Sequence, residues 1–262
     1  MEASSMLIAQ ISDVHVRGER ADGTWPGNTD TPAAMARCVA RLNGLAPRPD
    51  VVLVTGDLVH GGQAADYALL LDLLTPLDIP FFVVPGNHDD RANLRAAFRE
   101  RGCPAAAGHF LNYVIEDFPV RLVALDTQNT GHEGGRLCEE RLAWLETCLN
   151  ERPDQPTVVF MHHPPFLTGL AGFDREPLQG ADGLADIIRR HPSVERILCG
   201  HLHRPVQGRF AGTLASSAPS SAFQVALDLT EGVPLRVVPD PAAFQLHRWQ
   251  PGTGIISHTG YV

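Results

Sequence analysis

Five groups of polar residues punctuate this chain, and each is of a type that binds metal ions or moves protons. Asp13 and His15 stand in a D-x-H, and Asp57 in a GD. Asn87 and His88 stand in a GNHD, His162 and His163 in an HHPP, and His201 and His203 in a GH-x-H. Two carboxylates, one carboxamide and several imidazoles form a hard-to-borderline donor set. It suits Fe, Mn, Zn or Co better than Ca²⁺. Alternate residues of an extended segment share a face, so both members of D-x-H or H-x-H can point the same way. Any one of these pairs is by itself a common turn. The ordered series of all five is a specific signal.

Each group follows its own apolar run. Leu7–Ile11 precedes Asp13, Asp50–Thr55 precedes Asp57, and Phe81–Val84 precedes Pro85, Gly86 and Asn87. Thr157–Met161 leads into His162, and Arg196–Cys199 into Gly200 and His201. Uninterrupted runs of Val, Ile, Leu and Phe predict strands buried on both faces. Helical spacing is predicted over Thr31–Leu45, Ala64–Leu77, Arg91–Arg101, Glu139–Glu151 and Gly183–His191, with Pro32 placed in a first turn. Two more strands lie between Leu111 and Asp126, joined near Asp117–Pro119. Alternating strands and helices predict an α/β fold, with ligands at the carboxyl ends of the strands. Leu167–Gly183 is Gly-rich and irregular, a candidate lid. Residues 204–262 alternate apolar and polar, which predicts a strand-rich end forming a second sheet, or contacts in an oligomer. With no fixed-period repeat and no low-complexity linker, the span 1–262 reads as a single domain.

The chain has 262 residues, 44% of them hydrophobic and 6% aromatic, ordinary values for a globular protein. A net charge of −9 argues against a nucleic acid polymer or an anionic membrane as partner. Five cysteines without CxxC spacing fit reduced thiols in the cytoplasm, and Met1–Asp13 lacks the basic start of a leader.

In order and spacing, the series resembles the calcineurin-like metallophosphoesterase superfamily, from Ile11 to about His203. GNHDD, MHHPP and FQLHRW look like its bacterial group of class III cyclic-nucleotide phosphodiesterases and glycerophosphodiesterases. The resemblance implies a four-layer αββα sandwich with a dinuclear metal centre at the carboxyl ends of the strands. It implies one divalent ion held by Asp13, His15, Asp57 and His203. A second would be held by Asp57, Asn87, His162 and His201, with Asp57 bridging. His88 is implied as a catalytic group that faces the substrate phosphate without binding metal. The implied reaction is hydrolysis of a small phosphodiester by attack of a metal-bound hydroxide. The substrate would be a 3',5'-cyclic nucleotide such as cAMP, or a glycerophosphodiester. Two divalent ions against two carboxylates and one hydroxide leave the pocket positive, which selects an anionic ester on an acidic protein. Members of that group assemble, so a homo-oligomer is implied.

Two other functions fit the same motifs. One is a phosphomonoesterase or protein phosphatase on the same dinuclear centre. The other is a metal-free binding scaffold, which retention of every donor type argues against. Several residues keep plain structural readings. Asp89 and Asp90 are read as caps of the helix starting at Arg91. Asp126 and Cys199 are read as structural, and His163 and His191 as surface or supporting histidines. Trp25, Phe166 and Phe173 are candidates for lining a substrate mouth, with core packing the equal alternative.

Overall fold

The computed structural model describes residues 5–18, 29–103 and 108–262; Trp25 lies outside them. In chain order the first half comprises β1 (Met6–Ile11), α1 (Thr31–Asn43), β2 (Val51–Val54), α2 (Ala64–Leu74), β3 (Phe81–Val83), α3 (Arg91–Phe98), β4 (Tyr113–Ile115) and β5 (Arg121–Ala124). The second half comprises α4 (Glu139–Glu151), β6 (Thr157–Phe160), α5 (Ala171–Asp174), α6 (Ala181–Arg190), β7 (Val194–Cys199), β8 (Val206–Phe210), β9 (Thr213–Ser217), β10 (Gln224–Val225), β11 (Val237–Val238), β12 (Ala243–Gln250) and β13 (Gly254–Tyr261).

The strands form one sheet in the order β13-β12-β1-β2-β3, another in the order β4-β5-β6-β7-β9-β8, and a ribbon of β10 and β11. β1, β2 and β3 run parallel, as do β5, β6, β7 and β9. Parallel neighbours need a crossover; helices supply it between β1, β2 and β3 and between β5, β6 and β7, whereas β7 reaches β9 through strand β8.

Side-chain alternation sets the layers. Leu122, Ala124, Val158, Phe160 and Leu198 of the second sheet join a core with the first sheet and with Met35, Cys38, Tyr67, Leu70, Leu94 and Phe98 of α1 to α3. Their neighbours Val123, Val159, Ile197 and Cys199 join a separate core with Leu145 and Leu149 of α4 and Leu184, Ile187 and Ile188 of α6. Successive side chains of a strand point to opposite faces. The second sheet is therefore covered by the first on one face and by helices on the other. All of β2 is buried, so the first sheet is covered twice as well. The stack is helix, sheet, sheet, helix, as the resemblance implied.

Residues 204–262 differ from the expectation. Apart from the short β10–β11 ribbon, they do not make a sheet of their own. β8 and β9 extend the second sheet, while β12 and β13 extend the first. Each growing sheet leaves an edge of unpaired N–H and C=O groups, and each C-terminal pair of strands satisfies one edge. Helix α2 stops at Leu74, short of the predicted Leu77, because Pro76 cannot continue it. The five cysteines are free. Among the described residues no helix is long and apolar enough to cross a membrane.

The space between the two sheets turns polar near β12. Buried His247 bonds through Nε2 to Gln10 Oε1 at 2.9 Å and through Nδ1 to Ser257 Oγ at 2.7 Å. Gln10 donates onward to Thr55 Oγ1 at 2.9 Å and to the Cys199 carbonyl at 2.8 Å. Burial, with the Arg196 charge nearby, lowers His247 to about 3. A histidine in the unfolded chain titrates near about 6.5. As pH falls, the unfolded chain therefore takes the proton first. The stability contributed by His247 is whole above that value and is lost as pH drops toward 3, by up to about 1.4 kcal/mol per pH unit. The urea midpoint is expected to fall more steeply from about pH 7 to about pH 5 in wild type than in His247→Gln. Equal slopes would remove His247 as the acid-sensitive group.

Candidate metal centre

The carboxyl ends of β1, β2, β3, β6 and β7 lie side by side, and their loops hold one another. Asp13 N donates to the Gly56 carbonyl at 3.1 Å, and His15 N to the Asp57 carbonyl at 2.9 Å. His201 N reaches both carboxylate oxygens of Asp13 at 3.1 Å. The backbone here is unusual. Asp13, His15, Asp57, His201 and His203 all have left-handed φ, from 44° to 73°. Each such residue costs on the order of 1 kcal/mol or more. The cross-loop hydrogen bonds keep them there.

Glycines next to the donors are set by contact. A Cβ on Gly56 would strike the His162 imidazole, one on Gly200 would strike Ser12 Oγ, and one on Gly86 would strike Asp57. Gly86 has no positive φ, so only space demands glycine there. Gly86→Ala is expected to lower stability by roughly 1–3 kcal/mol, the usual cost of overpacking, and to displace Asp57. A thermal melt decides it, and a melting temperature at or above wild type would contradict the contact.

The donor atoms form two sets that share one oxygen. Asp57 Oδ1 accepts from His88 N at 2.9 Å. Asp57 Oδ2 is thereby left facing His15 Nε2 at 3.6 Å and His162 Nε2 at 3.4 Å. On one side His15 Nε2 lies 3.2 Å from His203 Nε2, which lies 3.5 Å from Asp13 Oδ1. On the other, Asn87 Oδ1 lies 3.1 Å from both His162 Nε2 and His201 Nδ1. Two donors each about 2.1 Å from one ion sit roughly 3.0 Å apart at a right angle and roughly 3.4 Å apart in a tetrahedron. The observed spacings fit.

The protonation pattern fits too. His162 Nδ1 faces the Thr55 carbonyl at 2.8 Å and His203 Nδ1 the Phe223 carbonyl at 2.9 Å. A carbonyl only accepts, so both Nδ1 atoms carry protons and both Nε2 atoms present lone pairs. Asn87 Nδ2 donates to Glu133 Oε2 at 2.9 Å, which turns the amide oxygen inward. Lone pairs therefore converge on lone pairs, and a cation reconciles them. Burial holds His15 and His201 well below the usual imidazole range, as neutral donors. Burial opposes ionisation of Asp57, but the His162 charge and hydrogen bond outweigh it and hold the carboxyl well below its usual range. His162 answers in kind: burial opposes its charge, yet Asp57 lifts it to about 9, so a proton on Nε2 competes with a cation for the lone pair that faces Asp57. The set is built around positive charge.

All seven expected ligands meet here, and His88 lines the same cavity of about 310 Å³ with His15, Asp57, Asn87, His201 and His203. His163 is buried rather than on the surface. It lies within ligand reach of His162 and His201. Its nitrogens are committed, however, with Nε2 to the Glu133 carbonyl at 3.0 Å and Nδ1 to Thr127 Oγ1 at 2.8 Å. It supports the centre and does not join it. His191 is also buried, against Ile187 and Asn150. Asp90 does cap α3, accepting from Asn93 N at 2.8 Å. Asp89 does not. It accepts from Gly86 N at 2.8 Å, Leu58 N at 3.1 Å, Val59 N at 3.3 Å and Tyr67 Oη at 2.9 Å, and so ties the Asp57 loop to the Asn87 loop. Asp126 is structural, clamped on Arg91 at 2.7 and 3.0 Å. Phe173 lines the cavity, its ring 5.0 Å from that of His201, whereas Phe166 packs against the helix-side core. Leu167–Gly183 is organised around α5, with Asp174 accepting from Thr168 and Gly169 N–H at 2.8 Å.

Sequence reading missed His60 and Glu133. His60 trails Asp57 by three positions, a spacing with no motif attached. Its carbonyl lies 3.1 Å from His88 Nδ1, and its ring stacks on His88 with centroids 4.7 Å apart. Burial, then the His88 charge, lowers His60 to about 4, so the stacked partner stays neutral. Glu133 comes from a loop with no signature.

A family model described as calcineurin-like phosphoesterase matches residues 6–205. A probable glycerophosphodiester phosphodiesterase, GpdQ, of Arcobacter nitrofigilis is 38% identical over 259 residues, covering 98% of this chain and 93% of that protein. The 3',5'-cyclic adenosine monophosphate phosphodiesterase CpdA of Vibrio vulnificus is 32% identical over 224 residues, covering 86% of this chain and 79% of that one. Among solved structures, a dimetal phosphatase from Danio rerio has the same fold, with TM-score 0.67 and 14% identity over 98% of each chain. The chain therefore belongs to the calcineurin-like phosphoesterase family of hydrolases.

Proposed function

We propose that this protein hydrolyses small phosphodiesters, glycerophosphodiesters foremost, at a centre of two divalent ions. The observation that carries the reading is Asp57 Oδ2, aimed at a histidine of each donor set, at 3.6 and 3.4 Å. Asp13, His15, Asp57 and His203 would hold one ion, and Asp57, Asn87, His162 and His201 the other. Bound there, such ions would acidify a water and neutralise charge on phosphoryl oxygens.

The chain's own residues do the rest. His88 Nδ1 donates to the His60 carbonyl at 3.1 Å, which fixes the tautomer. Its Nε2, once protonated, gives that proton to the departing alkoxide oxygen. The neutral His60 ring under it holds its plane. Phe173, Phe223, Val225 and Leu235 form an apolar wall of the cavity, which a second ester substituent can cover. A monoester has no such group. Glu133 at the same cavity disfavours the extra negative charge of a monoester dianion.

The strong match to a glycerophosphodiester phosphodiesterase over 98% of the chain supports the choice among diesters. The test compares metal-loaded protein on bis-p-nitrophenyl phosphate, p-nitrophenyl phosphate, cyclic AMP and glycerophosphoethanolamine. Glycerophosphoethanolamine is expected to have the highest kcat/KM of the two natural diesters, and both nitrophenyl substrates are expected to need divalent metal. Preference for the monoester, or turnover that survives exhaustive chelation, would overturn the reading. A preference for cyclic AMP would move the substrate to cyclic nucleotides on the same centre.

A further inference from the structure

A second polar cavity, of about 190 Å³, lies between the sheets at their C-terminal edge. Strand alternation explains its lining. Gln245 pairs with Thr259 and His247 with Ser257 across β12 and β13, so all four share one face. His247 bonds Gln10, which in turn bonds Cys199 of the opposite sheet, so that face is the inner one. Arg196 pairs with Leu214 across β7 and β9, and Ser216 lies two residues on along the same face. Arg196 meets Ser257 Oγ at 2.9 Å and the Ile255 carbonyl at 3.1 Å, so its face is the inner one too. Two inner faces that elsewhere carry Val, Leu and Phe here carry Arg, Ser, Gln and Thr.

The floor of this cleft is incompletely satisfied. Arg196, Ser216 and Gln245 are 6%, 4% and 7% exposed. Arg196 Nε, Ser216 Oγ and Gln245 Oε1 are buried and have no hydrogen-bond partner among the described residues. Three such atoms in one cavity require an explanation, because buried polar groups are nearly always paired. Arg196 also has no carboxylate within ion-pair distance among the described residues, and its two hydrogen-bond partners, the Ser257 hydroxyl and the Ile255 carbonyl, are neutral. Burial works against the Arg196 charge, and the neighbouring Glu195 carboxylate offsets that only from beyond contact distance, so the guanidinium lacks a hydrogen-bonded counter-charge. Guanidinium and hydroxyl together are the usual recognition pair for an oxyanion. The carboxamide can present either its oxygen or its NH₂, so it accepts from a ligand hydroxyl or donates to a ligand oxygen.

We propose that this cleft binds a small hydroxylated oxyanion, Arg196 and Ser216 taking the charged oxygens and Gln245 the hydroxyl. The site is separate from the metal centre and shares no lining residue with it.

The test is calorimetric titration of metal-loaded protein with three probes: inorganic phosphate, glycerol 3-phosphate as a hydroxylated phosphomonoester, and malate as a hydroxycarboxylate. Wild type is expected to show a binding event beyond the one at the metal centre, weakened tenfold or more in Arg196→Gln. Phosphate inhibition of hydrolysis, which reports the metal centre, is expected to be unchanged. The tighter of the two hydroxylated probes identifies the class of ligand. If Arg196→Gln does not fold, the Ser216→Ala, Gln245→Leu pair decides, with the same loss expected. A single event in wild type overturns the proposal. So does a second event that both variants retain, or equal weak binding of all probes and of chloride. Sedimentation of Arg196→Gln provides the last check. A changed oligomer with no anion uptake in wild type would mean that a carboxylate of a second copy fills the cleft, and the proposal falls.

Discussion

Asp57→Asn is expected to strip metal from the centre and lower kcat/KM by about 10²–10⁴-fold. The two carboxylate oxygens divide their work. Oδ1 holds the His88 backbone N–H at 2.9 Å, and Oδ2 faces the lone pairs of His15 and His162. An asparagine can keep the first contact with its oxygen. Its NH₂ then faces both imidazoles, and the negative charge shared by the two donor sets is gone. Removing one partner from a buried charged set costs about 3–5 kcal/mol, which converts to the range above. Shape is nearly conserved, so the close approach of Gly86 to this side chain is not disturbed. Metal content by mass spectrometry and steady-state rates on bis-p-nitrophenyl phosphate are the measurements. A variant that keeps full metal occupancy would show that the shared oxygen is not what holds the ions.

His88→Ala is expected to behave in the opposite way, with metal retained and turnover cut. Its side chain lines the cavity, but Nδ1 is engaged with the His60 carbonyl and the ring stacks on His60. Loss of a general acid typically costs roughly 10²–10⁴-fold. The loss should be full for glycerophosphoethanolamine, whose leaving alkoxide needs a proton. It should be much smaller for bis-p-nitrophenyl phosphate, because p-nitrophenolate leaves without one. A merely structural role would slow both substrates alike. Loss of metal from this variant would instead make His88 a ligand, within the reach it has to His15 and His60.

The two variants would separate binding from chemistry because the loop Gly86–Asp89 carries a group proposed for each. Asn87 turns its amide oxygen inward because Glu133 takes its NH₂. His88 sits one residue on, with its backbone on Asp57. Asp89 then accepts from backbone N–H groups on both sides of the gap. Three consecutive polar residues thus have three duties, set by direction rather than by type.

Much of this was legible in the chain. The apolar runs before Asp13, Asp57, Asn87, His162 and His201 marked the strands, because strands buried on both faces carry unbroken aliphatic stretches. The donor types marked the chemistry, and their order marked the family. Single-residue environments were less legible. Asp89 and Asp90 look alike in sequence, yet one caps α3 and the other clamps two loops. His162 and His163 are adjacent, yet only His162 turns a lone pair to the centre, since both nitrogens of His163 are occupied. Residues 204–262 alternate as strands should, but alternation does not name a partner, and these strands went to both main sheets and to a ribbon of their own.

The sequence by itself determined the strands, the donor set and the charge that the donor set calls for. These follow from periodicity and residue chemistry, which act over a few neighbours. Only the tertiary structure decided which oxygen of Asp57 faces both His15 and His162, which nitrogen of each histidine faces inward, and which edge each late strand covers. It alone placed Arg196, Ser216 and Gln245 around one cleft. Such choices rest on contacts between residues far apart in the chain, as His201 N rests on Asp13 across 188 positions. Hydrogen-bond direction and close packing exist only once those residues meet.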